Sequence, residues 1–146
     1  MITTTTLSFL LTLNTVIFAL LSFLHMYWLS GGRWGIYKAV PQVPGKGSLK
    51  PAIWIAVLII VGAFLMALIQ LFVLFSFQIP IEYFLFGKRG LLVISALFLL
   101  RSIGDFRYIG IFRKIKNTEF AKTDARISTP LCLYISISNA YCFFSV

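Results

Sequence analysis

Three charged side chains, Arg101, Asp105 and Arg107, stand inside an otherwise apolar run of this 146-residue chain, between Leu91 and Phe112. Arg101 and Asp105 are four residues apart, and on a helix this spacing places both on one face, one turn along. Ionisable groups inside a bilayer are unfavourable unless they are paired or hydrated, so they are candidates for a functional site. We therefore predict an ion pair here, which serves either as a polar site or as a structural clasp.

The composition indicates that the lipid bilayer surrounds most of the chain. Hydrophobic residues make up 60% of it and charged residues 12%, with a mean hydropathy of +0.95. A soluble domain of this size cannot bury so much apolar surface. The 13 basic and 4 acidic residues, net charge +9, fall almost wholly between apolar runs. That distribution is typical of membrane topology, so we expect no nucleic-acid partner.

Four apolar runs predict an all-α membrane protein, a four-transmembrane-helix bundle with short loops, formed by residues 1–146 as a single domain. A transmembrane helix needs about 20 mainly apolar residues. The four predicted spans are about 7–29, 52–77, 90–112 and 130–146. The first lacks the positive n-region and cleavage site of a signal peptide, so we expect it to be retained.

The third span can be placed in two registers. Residues 90–112 enclose the pair described above, whereas residues 80–100 enclose Lys88 and Arg89. These two are adjacent and alike in charge, with no partner nearby in sequence, and would cost about 5–7 kcal/mol near the middle of the membrane. We therefore favour the register 90–112.

The basic residues predict an orientation. Ten of them lie on one side, in loops 30–50 and 113–129 and at Arg107, whereas the loop after the second span carries two. The positive-inside rule then places these two loops in the cytoplasm and both termini outside. We expect the basic loops to attract anionic lipids of the bilayer.

This orientation predicts a polar layer in the inner leaflet. At about 1.5 Å per residue, His25 lies roughly 6 Å from the end of the first span and Asp105 roughly 10 Å from the end of the third. A histidine, a carboxylate and guanidinium groups at one depth suit a proton relay or an anion-holding pocket, although each also has an ordinary structural role. The candidate ligand- or ion-binding residues are His25, Arg33, Arg101, Asp105, Arg107 and Tyr108.

No metal or cofactor site is expected. Cys132 and Cys142 are ten residues apart, hence about 15 Å along a helix, which is too far for a disulfide. Two cysteines and one histidine do not make a structural zinc site. The stretch Gly45 to Ser48 lacks the spacing of a phosphate-binding loop.

Three stretches carry a family resemblance: HMYWLSGGRWG at 25–35, LRSIGDFRYIG at 100–110 and FAKTDARISTPLC at 120–132. Together they resemble the bacterial membrane-protein family catalogued as domain of unknown function 3995, over nearly the whole chain. The resemblance implies a four-helix integral membrane protein, and hence a multi-pass protein of the bacterial inner membrane. It implies no activity.

Three functions remain open from the sequence. The first is a polar cluster that binds or moves a small ligand, ion or proton. The second is a membrane-embedded enzyme for a lipid-like substrate, with His25 as acid or base. The third is a structural subunit that packs against a membrane-protein partner or a second copy through small residues. Whether the chain is an enzyme at all is left undecided, because no catalytic motif is present.

Overall fold

The protein consists mainly of four long helices. Its structure, a computed structural model, describes residues 2–43, 47–48, 52–75 and 81–145. All four are long and apolar enough to cross a membrane, which confirms the predicted all-α fold with four spans. The long helices are α1 (Ile2–Leu29), α3 (Ile53–Phe75), α4 (Ile81–Ile103) and a last helix that begins as α5 (Glu119–Thr123), continues through a π-helical turn (Asp124–Ser128) and ends as α6 (Thr129–Ser145).

The connection between α1 and α3 carries small elements. These are the one-turn α2 (Ile36–Ala39) and an antiparallel pair of two-residue strands, β1 (Gln42–Val43) and β2 (Gly47–Ser48). Because α2 packs against α5, this connection meets the start of the last helix at one end of the bundle.

The long helices close into a ring. α1 packs on α3, α3 on α4, α4 on α6, and α6 returns to α1. Two layers of buried side chains fill its centre, each built from several helices. One contains Leu7, Leu11, Val73, Leu91 and Cys142, and the other contains Phe18, Ala67, Ile94 and Ile135.

Buried polar side chains lie between these apolar layers. Asn14 and Ser138 bond across α1 and α6, and Ser95 and Ser136 bond across α4 and α6. Gln70 Nε2 on α3 donates to Asn139 Oδ1 on α6. In a bilayer such bonds between helices replace the water that a soluble protein would use.

The favoured register of the third span is wrong. α4 is Ile81–Ile103, which matches the alternative register 80–100 rather than 90–112. The helix ends because Gly104 has a φ of 86°, and its backbone lies against Ile109, where an added Cβ would be 1.8 Å from the carbonyl oxygen. This contact is made only in the folded loop, so the apolar pattern of the run does not reveal it.

One of the two charges that argued against this register, Lys88, has a partner on α6. The ammonium of Lys88 lies 5.2 Å from the ring centroid of Phe143, a favourable cation–π contact near the C-terminal end of α6. Arg89 is exposed on the surface of the helix. Residues 88 and 89 therefore lie toward one end of the bundle rather than in its middle.

Two other predicted bounds differ from the structure. The first helix already begins at Ile2, and the last begins at Glu119, eleven residues before the predicted start at 130. The helix can pass Pro130, which has no backbone N–H, because the π-helical turn before it has already shifted the hydrogen-bond pattern, with Thr129 N–H donating to Asp124 O. Residues 76, 77 and 146 of the predicted spans lie outside the described ranges.

Candidate functional site

The chain after α4 turns back on itself in a closed loop, residues 104–110. Gly104 and Gly110 both have positive φ, 86° and 85°, and an added Cβ on Gly110 would be 2.6 Å from the Cα of Gly104. Ile111 N–H then donates to Ser102 O at 2.9 Å, which fastens the exit of the loop to the end of α4. Only glycine fits at both positions, because a side chain would clash with backbone and positive φ disfavours L residues.

Asp105 organises the interior of the closed loop. Its Oδ1 accepts from the backbone N–H groups of Arg107, Tyr108 and Ile109 at 2.9, 2.7 and 2.9 Å. Partial burial by itself raises the pKa of Asp105, but these three donors outweigh it and hold the pKa below its usual value of 3.8. Asp105 therefore acts as a cap for three backbone donors.

The predicted Arg101–Asp105 ion pair is wrong. A pair four residues apart requires an unbroken helix, and the helix ends at Ile103 before Asp105 is reached. Arg101 instead donates from Nη2 to Oδ1 of Asp124, 2.8 Å away and 23 residues later in the chain.

Asp124 is the centre of a polar cluster, here called the Asp124 cluster, which also contains Arg101, Arg113 and Thr129. Its side chain is 0% exposed. Besides Arg101, its Oδ2 accepts from Gly110 N at 3.0 Å, Thr129 Oγ1 at 3.1 Å and Arg113 Nη1 at 3.2 Å. The carboxylate thus joins the end of α4 and the closed loop to the π-helical turn and α6.

The charges of the Asp124 cluster do not balance. Two guanidinium groups face one carboxylate, which leaves one formal positive charge. Among the described residues, Arg101 Nη1 and Arg113 Nε are buried and have no hydrogen-bond acceptor. The side chains of Arg101 and Arg113 are 33% and 12% exposed, so the cluster lies just beneath the surface. Such a group of unpaired guanidinium donors can hold the oxygens of an anion.

The structure separates the six residues that the sequence grouped. Asp105, Arg107 and Tyr108 meet within the closed loop, where the Arg107 guanidinium lies 5.3 Å from the Tyr108 ring centroid. Arg101 joins the Asp124 cluster. Among the described residues, no hydrogen bond or ion pair joins His25 or Arg33 to either group.

His25 has a local role in its own helix. Its Nδ1 hydrogen-bonds to Leu21 O at 2.8 Å, and its ring meets the Trp28 ring edge-on at 5.0 Å between centroids. These contacts resemble those of a histidine that is satisfied near a helix end. They supply no carboxylate partner for proton transfer.

Asp124 and Arg113 are the charged residues of the Asp124 cluster that the sequence analysis did not predict. Both lay in the segment that was treated as a basic topology loop, 113–129. A signal was present, because Asp124 is an acidic residue in a strongly basic stretch that also carries the family resemblance. Its partner Arg101 could not be identified from spacing, since the two are joined only by the fold.

The four apolar helices and the irregular polar segment at one end define a multi-pass helical membrane protein. A family model described as "Protein of unknown function (DUF3995)" matches residues 18–139, and the chain belongs to this family. No curated protein and no solved structure matches it significantly.

Proposed function

We propose that this membrane protein binds a small anionic group, a phosphate or a carboxylate, at the Asp124 cluster. The observation that supports this proposal is the pair of buried guanidinium nitrogens, Arg101 Nη1 and Arg113 Nε, that have no acceptor among the described residues. A buried donor without an acceptor typically costs about 1–3 kcal/mol, and more when it is charged. The oxygens of an anion would satisfy both donors and neutralise the excess charge.

Arginine suits this task better than lysine would. Its guanidinium is a planar fork that matches phosphate and carboxylate oxygens and keeps its charge when it is partly buried. In this cluster, Asp124 fixes one edge of each guanidinium, through Nη2 of Arg101 and Nη1 of Arg113. The remaining nitrogens are therefore held in place before an anion arrives, which lowers the entropy lost on binding.

The alternative functions have less support. An enzyme or proton relay that uses His25 needs a partner close to that ring, and the contacts described for it are with Leu21 and Trp28. A purely structural role explains the bonds of Asp124 to Gly110 and Thr129. It also explains the bond that Arg113 Nη1 donates to Gly110 O at 2.6 Å, but it leaves Arg101 Nη1 and Arg113 Nε without an acceptor among the described residues.

Phosphate binding to delipidated protein tests the proposal. Arg113→Gln removes one of the unpaired donors, and Arg126→Gln is the matched control, because Arg126 is exposed and lies in the adjacent π-helical turn. We expect the affinity for inorganic phosphate, measured by calorimetry, to fall about tenfold or more in Arg113→Gln, equivalent to about 1.4 kcal/mol or more. Arg126→Gln should change it less than about twofold, as expected for an exposed charge.

Two further measurements complete the test. Asp124→Asn leaves one acceptor oxygen where two now fix the guanidinium groups, so we expect the folded fraction of this variant to bind phosphate more weakly than the wild type. Native mass spectrometry with anionic phospholipid, compared with the phosphate titration, distinguishes a lipid headgroup from a free ion. Equal phosphate affinities for the two arginine variants, both folded, would refute the proposal and leave the Asp124 cluster as a structural clasp.

A further inference from the structure

An apolar edge is exposed on the closed loop and on the two residues that follow it. It consists of Phe106, Ile111 and Phe112, and we call it the aromatic edge. The side chains of Phe106 and Phe112 are 57% and 60% exposed, with ring centroids 6.0 Å apart and an interplanar angle of 31°. Large apolar groups that are placed together on a surface indicate that something apolar covers them.

The backbone holds Phe106 in this exposed position against its own preference. Its φ is 60°, the left-handed region, and Phe106 is the only non-glycine residue with positive φ among the described residues. A bulky side chain is rare there because its Cβ crowds the backbone. The contact between Gly104 and Gly110 and the three bonds to Asp105 stabilise the neighbouring peptides in this conformation.

Basic side chains border the aromatic edge. Arg107, Lys114 and Lys116 are exposed and form what we call the basic flank. In the described part of the chain no carboxylate pairs with any of them, since the ion pairs found there join Asp124 to Arg101 and Arg113, and Glu119 to Lys122. The flank therefore offers three exposed cations that have no carboxylate partner among the described residues.

We propose that this surface inserts into the headgroup region of an anionic bilayer. The aromatic edge would lie at the boundary with the acyl chains, and the basic flank would meet the phosphates. The loop joins α4 to α5, and both helices belong to segments that are apolar enough to span the membrane, so its surface begins at the level of the bilayer. Aromatic rings favour this level, and basic residues beside it are attracted to anionic lipid. The proposal does not depend on anion binding at the Asp124 cluster.

Spin labels on the loop test the depth of the aromatic edge. Phe112→Cys and Lys116→Cys are labelled with a nitroxide in vesicles of mixed zwitterionic and anionic phospholipid, where the native Cys132 and Cys142 are buried. We expect the label at position 112 to collide mainly with oxygen, which dissolves in the bilayer. The label at 116, the matched control, should collide mainly with a water-soluble nickel complex.

Charge variants test the basic flank. Because a basic residue near an anionic surface contributes about 1 kcal/mol, which is about fivefold in affinity, Lys114→Gln/Lys116→Gln should lower anionic-lipid retention by about 25-fold in native mass spectrometry. Lys114→Arg/Lys116→Arg keeps the charge and should retain the lipid. The proposal is overturned if the label at 112 is as accessible to nickel as that at 116, or is shielded from both reagents by a protein partner, or if both double variants retain lipid equally.

Discussion

At the scale of single residues, the two aspartates at this end of the bundle differ in their burial and in the groups that they bond. Asp105 is exposed and caps backbone N–H groups of its own loop, whereas Asp124 is buried and joins distant segments. The sequence singles out Asp105 as a candidate, because it stands in an apolar run four residues after Arg101. It does not single out Asp124, because two of its partners, Gly110 and Arg101, lie 14 and 23 residues away and are brought to it only by the fold.

Asp105 predicts a pH dependence of stability. Because its pKa is lower in the folded protein than in the unfolded chain, its stabilising contribution is present above the unfolded value, near 3.8, and is lost as the pH falls through the lower folded value. We expect Asp105→Asn to be less stable than the wild type at neutral pH. The difference should shrink below about pH 4, near the unfolded pKa of an aspartate.

Thermal unfolding in detergent between neutral pH and the most acidic condition at which the fold persists measures this difference. The pH dependence of the stability difference matters more than its magnitude, since other carboxylates titrate in both proteins. A gap that stays constant through the acidic range would show that the Asp105 charge contributes nothing.

At the scale of elements, the sequence predicted the number of spans but misplaced the third. In the register 80–100, Lys88 and Arg89 would lie near mid-membrane without a partner nearby in sequence, and this cost favours the register 90–112. In the structure the two residues lie toward the start of α4, which begins at Ile81, and Lys88 contacts Phe143 near the end of α6. The stop after Ile103 depends on contact between Gly104 and Gly110, a tertiary contact that no local pattern encodes.

Two glycine substitutions distinguish the contribution of tertiary contacts to stability from that of local helix propensity. Gly104→Ala should destabilise the protein strongly, because its φ is 86° and the new Cβ would be 1.8 Å from Ile109 O. Gly62→Ala on α3 is the control, since its Cβ would have no heavy atom within 4 Å. That change should be neutral, or stabilising by up to about 1 kcal/mol through helix propensity.

Thermal unfolding of the two alanine variants, measured side by side, gives the comparison. If Gly104→Ala unfolds at the same temperature as the wild type, the tight closure of the loop is not required for the fold.

At the scale of the whole molecule, buried amides tie the helices of the ring together. Asn139 Nδ2 donates to Ile135 O, which turns its Oδ1 toward Gln70 Nε2. Gln70 Oε1 is left buried without a partner among the described residues. We expect Gln70 and Asn139 to couple by about 0.6–1.7 kcal/mol, the range measured for hydrogen bonds between membrane helices.

A double-mutant cycle with Gln70→Leu and Asn139→Leu measures this coupling as the non-additive part of the free energy of unfolding. Ile137→Ala is a control on the same helix, because Ile137 is exposed and should not couple to Gln70. Additive losses for the amide pair would mean that the bond contributes no specific stability.

The orientation in the membrane is a second property of the whole molecule, and it stays a prediction. Ten basic residues of loops 30–50 and 113–129 and Arg107 favour the cytoplasmic side for the Asp124 cluster, with both termini outside. Labelling of Lys116→Cys with an impermeant thiol reagent should therefore occur in inverted vesicles and not in intact cells. Labelling in intact cells would reverse the orientation.

The π-helical turn sets the rotational phase of the last helix. A π turn holds about one residue more than an α turn, and each residue of an α-helix advances the side chains by about 100°. The segment before the turn is thereby rotated relative to α6, so that Asp124 faces Arg101 while Asn139 faces Gln70. Deleting one residue between 124 and 128 would leave the composition and hydropathy almost unchanged. It would nevertheless rotate the two parts of the helix relative to each other, so that only one of the two contacts could form. The length of this helix is therefore as constrained as its sequence.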